Sequence, residues 1–212
     1  MTTLVVVDDQ FLVRDGVAAI LAAEEDFTVL GTAADGAEAV GLITSLAPDV
    51  ALMDIRMPDV DGIEATRRII ESGCATRILI LTTFGADDYV LAALRAGASG
   101  YLLKDAPRES LVAGIRAVAA GDVAVEKGIL AQLVRGQPTR EHPEVVAALG
   151  RLSPRESEVL HLVAQGATNP EIAQSLFIGE TTVKTHVSRI QTKLDARDRV
   201  QLVVLAHRAG LA

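Results

Sequence analysis

Five short apolar runs, at 4–7, 29–32, 50–53, 78–81 and 101–103, alternate with amphipathic stretches over the first 120 residues. The runs are β-branched or leucine-rich and show no apolar–polar alternation, as strands buried on both faces do. Between them, segments near 11–23, 36–46, 61–72, 86–96 and 107–120 carry helical periodicity. Pro48, Gly97, Gly100, Pro107 and Gly121 punctuate many of the joints. Strands alternating with helices in this way predict a doubly wound, five-stranded parallel (βα)5 sheet. With Trp absent and aromatic residues at 3%, its core must come from Val, Leu, Ile and Ala.

The rhythm stops after residue 121. Gly128, Gly136, Pro138 and Pro143 interrupt the next segment around the charged stretch Arg140-Glu141-His142. Residues 122–150 are therefore read as a linker with some helix near 127–135. From Ser153 onward the pattern is purely helical. The predicted organisation is an α/β domain over 1–121, the linker, and an all-α domain over 151–212. Charge follows the same division. Residues 1–150 carry 12 Lys and Arg against 22 Asp and Glu, a net of −10, whereas 151–212 carry 8 against 6, a net of +2. An acidic part joined to a mildly basic one suggests two tasks. Cys74 is the only cysteine, which excludes an internal disulfide and a multi-cysteine metal site and suits a reducing cytoplasm. No apolar run is long enough for a membrane span.

Polar residues recur at the ends of the predicted strands. Asp8 and Asp9 follow the first, Asp54 the third, Thr82 the fourth and Lys104 the fifth. Ligands of open parallel sheets bind beyond the carboxyl ends of the strands. Three carboxylates gathered there raise one another's proton affinity unless a cation neutralises them. An all-oxygen site with room for water suits Mg2+. One carboxylate could then attack a phosphoryl group, with Lys104 and Thr82 holding the phosphoryl oxygens. Taken singly, each residue has an ordinary explanation: an N-cap, a solvated lysine, a turn threonine. Their joint placement at four strand ends points to a site.

The segments Val6-Val7-Asp8-Asp9, Met53-Asp54-Ile55-Arg56-Met57-Pro58-Asp59-Val60-Asp61-Gly62, Leu81-Thr82-Thr83 and Gly100-Tyr101-Leu102-Leu103-Lys104 closely resemble the receiver domain of bacterial two-component response regulators. The resemblance covers about residues 1–121 and implies a flavodoxin-like fold with Asp54 as phosphoacceptor. It also implies that Asp9 binds Mg2+ directly, that Asp8 does so mainly through water, and that the Arg56 backbone carbonyl completes the protein ligands. Thr82 and Lys104 would hold the phosphoryl group, and Tyr101 would be the aromatic switch that turns with Thr82. Asp105 departs from the proline that many receivers carry after the lysine, which bears on the geometry of that bend.

In the C-terminal part, Ser153-Pro154-Arg155-Glu156 reads as a capped helix start, with Pro154 at the first helical position and Glu156 closing a capping box. Gly166 ends that helix. Asn169-Pro170-Glu171 opens a second helix through Leu176. Gly179 marks a turn before a third, which runs to about Asp195. On this third helix Val183, Val187, Ile190 and Leu194 form one apolar stripe, and Thr181, Lys184, Thr185, Ser188 and Thr192 lie nearly opposite. Short polar side chains with a few cations suit entry into a DNA major groove, and an ordinary solvated face is the plain alternative. Asn169-Pro170-Glu171-Ile172-Ala173, Thr182-Val183-Lys184-Thr185-His186-Val187 and Lys193-Leu194 resemble the four-helix LuxR-type helix-turn-helix domain, and the whole chain resembles NarL/FixJ-type regulators. The resemblance assigns base-edge roles to Lys184, Thr185 and Ser188, joined by Thr181, and phosphate contacts to Thr182, Arg189 and Lys193. His186 is either a phosphate contact or a satisfied packing residue, with packing favoured. Gly179 stands where a serine commonly caps the helix, a slightly weaker cap. A final helix over 199–209 is expected to expose Val200, Val203, Val204 and His207. The resemblance implies a role for it in dimerisation, and packing under the third helix is the alternative.

These readings predict a non-enzymatic, cytoplasmic response regulator. A sensor histidine kinase phosphorylates Asp54 in the presence of Mg2+, and a homodimer then binds a roughly palindromic operator on double-stranded DNA, with RNA polymerase as a further partner. Two rivals remain at this stage. One is a Mg2+-dependent aspartyl-phosphate phosphohydrolase, for which no cap domain is evident. The other is a constitutive DNA-binding regulator whose receiver does not switch.

Overall fold

A computed structural model describes residues 1–83, 87–122, 124–125 and 149–211. The helix expected near 127–135 lies outside these residues. The chain divides into two compact units, Met1–Val125 and Glu126–Ala212, and each is described by itself.

The first unit runs β1 (Thr2–Val7), α1 (Phe11–Ala22), β2 (Phe27–Ala33), α2 (Gly36–Leu46), β3 (Val50–Met53), α3 (Gly62–Glu71), β4 (Arg77–Thr82), α4 (Asp87–Ala96), β5 (Gly100–Leu103), α5 (Arg108–Ala119). All strand pairs are parallel, in the order β2-β1-β3-β4-β5. This is the expected flavodoxin-like alternation. β1 and β3 form the floor of the core: Leu4, Val5, Val6 and Val7 and all four residues of β3 are buried. The expectation of two buried faces fails for β2 and β5. Leu30 and Leu103 are exposed and neighbouring residues half-buried, because these are the edge strands and one flank of each meets solvent.

Sheet register aligns the strand ends. Val7 pairs with Met53, Met53 with Ile80, and Thr82 with Leu103. Strand order reverses direction at β1, so the crevice beyond β1 and β3 is the topological switch point where ligands of such sheets bind. Carboxylates start α2 and α3 on this side of the sheet. Asp35 accepts from Glu38 N at 2.9 Å, and Asp61 from Glu64 N at 2.8 Å, each satisfying an otherwise unpaired donor of the first turn.

The described part of the second unit holds α6 (Pro154–Ala164), α7 (Asn169–Leu176), α8 (Glu180–Leu194) and α9 (Arg199–Arg208). Val159, Leu160, Val163, Ile172, Val183, Ile190 and Leu202 pack in its core. The capping box of Ser153 with Glu156 forms as expected. α7 begins behind a second box that its sequence also spells: Thr168 is the N-cap, paired with Glu171. The final helix corrects the expectation of an exposed row. Val200 and Val203 are buried at 2% and 1% exposure, Val204 is half-buried, and His207 Nε2 lies 3.2 Å from the Ala164 carbonyl. Apolar side chains at the second and fifth positions of a short helix are claimed by the core it must close.

Candidate functional site

Four loops bring the predicted site residues of the first unit together. β1 delivers Asp8 and Asp9, β3 delivers Asp54, β4 ends on Thr82, and the turn after β5 carries Lys104. Backbone hydrogen bonds lock the loops to each other: Asp54 N donates to Val7 O at 2.9 Å, and Lys104 N to Thr82 O at 2.8 Å. Asp8 and Asp54 are 2% and 4% exposed, whereas Asp9 is exposed. The three carboxylates offer oxygens that all lie within 4.8 Å of one another. Lys104 Nζ sits between two of them, 2.6 Å from Asp8 Oδ2 and 2.9 Å from Asp54 Oδ2. The other oxygens are also held. Asp8 Oδ1 accepts from Gln10 N at 3.0 Å, and Asp54 Oδ1 from Ile55 N at 2.8 Å.

Burial is the main influence on Asp54, and it pushes the carboxyl above its ordinary range. The hydrogen bond and charge of Lys104 oppose that shift, and the Asp8 charge adds to it. Burial also acts most strongly on Lys104, pulling it down, but the hydrogen bonds and charges of Asp8 and Asp54 outweigh it and raise the ammonium. Three carboxylates beside one ammonium carry two surplus formal negative charges at a half-open mouth. The donors are oxygens only, so the set fits a hard divalent ion such as Mg2+. Asp8, Asp9 and Asp54 would hold it.

The remaining receiver candidates lie around this cluster. Thr82 is 3% exposed. Tyr101 is half-buried, and its backbone N–H donates to Ala124 O at 2.9 Å. Arg56 is exposed, with its guanidinium 5.4 Å from the ring centroid of Tyr89 on α4. Sequence reasoning missed Gly62. A Cβ there would lie 1.9 Å from the Asp54 carbonyl oxygen, so the start of α3 seats directly on the backbone of Asp54. The Gly62 amide donates to Ile55 O at 2.9 Å. The signal was present as a glycine closing the long β3–α3 loop, but only the fold shows what it touches.

On the second unit, α8 has the two faces read from its sequence. Val183, Val187, Ile190 and Leu194 are buried, while Thr181, Thr182, Lys184, Thr185, Ser188, Arg189 and Thr192 are exposed. Two hydroxyls turn back onto the helix: Thr185 Oγ1 donates to Thr181 O at 2.9 Å and Thr192 Oγ1 to Ser188 O at 3.0 Å. Gly179 caps α8 without a side-chain bond. Lys193 departs from its expected position among the phosphate contacts. Its ammonium donates to Glu156 Oε2 at 2.6 Å and to Arg151 O at 3.2 Å, tying the end of α8 to the start of α6. His186 is half-buried, which fits packing, but its Nδ1 has no hydrogen-bond partner, so it is not a satisfied one. Arg199, also unforeseen, is buried at 5% exposure and donates to Asn169 Oδ1 at 2.7 Å and to the Ala167 carbonyl, clamping the start of α7 to the start of α9.

The Glu156–Lys193 bridge has a pH consequence. The Lys193 hydrogen bond, then the Ser153 backbone N–H, hold the Glu156 carboxyl at about 2, well below its usual 4.5. A depressed acid contributes stability that is complete above its unfolded value and is lost as pH falls toward the folded one. The melting temperature of the C-terminal helices should therefore decline between about pH 5 and pH 2, and the decline should be shallower in Glu156→Gln. Circular dichroism melts across that window check this. Parallel curves for the two proteins would show that the bridge contributes nothing.

Comparison with known proteins agrees with both halves. Residues 4–116 match the response regulator receiver domain, and residues 150–206 match the bacterial regulatory proteins of the luxR family. This chain belongs to the response regulator family. The regulator is 41% identical over 211 residues to the transcriptional regulatory protein LiaR of Bacillus subtilis, covering 100% of this chain and 99% of LiaR. It is 44% identical over 208 residues to YxjL of the same organism, covering 96% and 94%. Among solved structures it resembles the response regulator ChrA of a heme-sensing two-component system, at 36% identity and TM-score 0.53, covering 100% of this chain and 98% of ChrA. The receiver domain of NarL from Mycobacterium tuberculosis matches at 38% identity and TM-score 0.55, covering 57% of this chain and 97% of that one. The regulator is thus a transcriptional response regulator with receiver and LuxR-type DNA-binding domains. Among the described residues, no helix is long and apolar enough to cross a membrane.

Proposed function

We propose that Asp54 is the phosphoacceptor of this regulator and that its phosphorylation controls dimerisation and sequence-specific DNA binding. The observation that carries this reading is the contact of one buried ammonium, Lys104, with two buried carboxylates, Asp8 and Asp54, beside the exposed Asp9. A sensor histidine kinase is the donor. A carboxylate oxygen of Asp54 forms the new bond to phosphorus, the phosphorus–nitrogen bond of the donor phosphohistidine breaks, and the imidazole leaves with the electron pair. Asp8, Asp9, Asp54 and the Arg56 carbonyl would hold Mg2+, which would neutralise charge on the phosphoryl oxygens. Lys104 shifts from its carboxylate partners to the phosphoryl oxygens, and the Thr82 hydroxyl donates to them. Tyr101 follows Thr82, and the face formed by α4, β5 and α5 changes its contacts.

The working division is a receiver over 1–121, a linker over 122–150 and a DNA-binding domain over 151–212. In the last, Lys184, Thr185, Ser188 and Thr181 read base edges while Thr182 and Arg189 contact phosphates. The phosphorylated homodimer binds a roughly palindromic operator in the cytoplasm and meets RNA polymerase there. The regulator forms its phosphoaspartate once per donor and is not a turnover enzyme.

Incubation with acetyl phosphate and Mg2+, read by intact-mass spectrometry, tests this. One phosphoryl group is expected on the parent chain and none on Asp54→Ala, with a change in oligomeric state and DNA affinity confined to the parent. Labelling that persists in Asp54→Ala would move the acceptor elsewhere, and sustained release of phosphate from small esters would favour a hydrolase.

A further inference from the structure

The turn between α7 and α8 holds a residue that neither packing nor backbone geometry accounts for. Phe177 is 95% exposed. Its backbone is left-handed, with φ 54° and ψ 45°, a conformation that favours glycine or asparagine at a helix C-terminus and that L side chains adopt at a cost. Its neighbours already meet the turn's apolar needs, since Leu176 and Ile178 both pack against the core of the second unit. The turn itself is fixed: Ile178 N donates to Ala173 O at 3.0 Å, and the Arg155 guanidinium donates to Leu176 O at 2.6 Å while its other nitrogen pairs with Glu158 at 2.6 Å. A phenyl ring is thus held out in water on a rigid support, at a position where glycine would relieve strain.

We propose that Phe177 is a DNA contact, its ring lying against the deoxyribose edge of the backbone that borders the groove α8 enters. This rests on the DNA-binding reading of α8 and extends it to an apolar contact. The occupant follows from continuity. Phe177 lies three residues before Glu180, where α8 begins, and the exposed Thr181, Thr182, Lys184 and Thr185 follow on the same helix. A recognition helix inserts its N-terminal end into the major groove, so the chain leading into that end passes the groove's rim, where sugars and phosphates are. Deoxyribose is the apolar part of that rim. A contact to it carries no charge and no sequence preference, and so adds affinity and fixes orientation.

The test uses the full chain treated with beryllium fluoride and Mg2+, with a fluorescent mixed-sequence duplex as probe across a salt series. Phe177→Gly and Phe177→Asn both suit a left-handed backbone. Each should melt a few degrees higher than the parent, as about expected for relieving one strained residue, and bind the duplex about fivefold more weakly, the loss for uncovering part of a phenyl ring. The slope of affinity against salt should stay unchanged, whereas Arg189→Ala should lower it by about one phosphate contact. Higher stability with unchanged affinity overturns the proposal and leaves Phe177 to a protein partner. Lower stability in both variants also overturns it, since the ring would then be structural. If the parent itself fails to bind the duplex, the DNA-binding reading falls and the proposal with it.

Discussion

Replacing Lys104 by methionine is expected to destabilise the first unit by about 3 kcal/mol in Mg2+-free buffer and to make its stability far more sensitive to added Mg2+. The ammonium touches Asp8 and Asp54 at 2.6 and 2.9 Å, and all three side chains are nearly buried. Removing one partner of a buried ionic group leaves charge without compensation, which typically costs about 3–5 kcal/mol. The lower end applies here because Asp9 opens the cluster to solvent. Without Lys104 the carboxylates repel one another, and a divalent cation can supply the counter-charge that is lost. Urea unfolding with chelator and then with rising Mg2+ measures both effects. Should the variant match the parent in chelator, the three-way contact would have no energetic weight, and the electrostatic account of the site would be wrong. Phosphoryl acceptance should fall as well, because the same ammonium is assigned to the phosphoryl oxygens.

Gly62→Ala is expected to slow phosphorylation of Asp54 by about 100-fold, the order that a misplacement near 1 Å can cost a reacting group. The new methyl would lie 1.9 Å from the Asp54 carbonyl oxygen, 2.9 Å from its carbonyl carbon and 3.1 Å from Ile55 Cα. All three are backbone atoms of the strand end that presents Asp54, so no side chain can swing aside and the loop itself must move. Stability should drop by about 1–3 kcal/mol, the range for overpacking a filled site. Gly41→Ala supplies the opposite sign from the same substitution. Gly41 lies inside α2, where an added Cβ meets nothing within 4 Å. Stability should rise there by about 0.5–1 kcal/mol, from the reduced freedom of the unfolded chain and better helix propensity. Rates of labelling by acetyl phosphate, set beside denaturant unfolding of each variant, separate the two glycines. A Gly62→Ala protein that labels at the parent rate would show that the β3–α3 loop relaxes freely and that Asp54 is not held by it.

How legible was this in the chain? Helix and strand positions followed from local pattern, and α2 and β3 fall where apolar spacing put them. The convergence of Asp8, Asp9, Asp54 and Lys104 was also legible, because in a parallel sheet every strand end of one sense faces one edge, so position after a strand is already position in space. What failed to read were properties set by neighbours from other elements. Leu30 looks like any buried strand leucine until β2 proves to be the edge. Lys193 looks like a helix-surface cation until Glu156 of α6 claims it. Val200 and Val203 look exposed by helical spacing until α9 closes the second core over them.

The sequence by itself determined the fold class, the chemistry gathered at one sheet edge and the two-faced helix of the C-terminal unit. Each is governed by periodicity and by the one-way topology of alternating strands and helices. The tertiary structure alone decided that Lys193 is tied up between helices, that Gly62 seats on the backbone of Asp54, and that Phe177 stands uncovered. Those are matters of contact between separate elements, and burial, ion pairing and steric contact depend on distance in space.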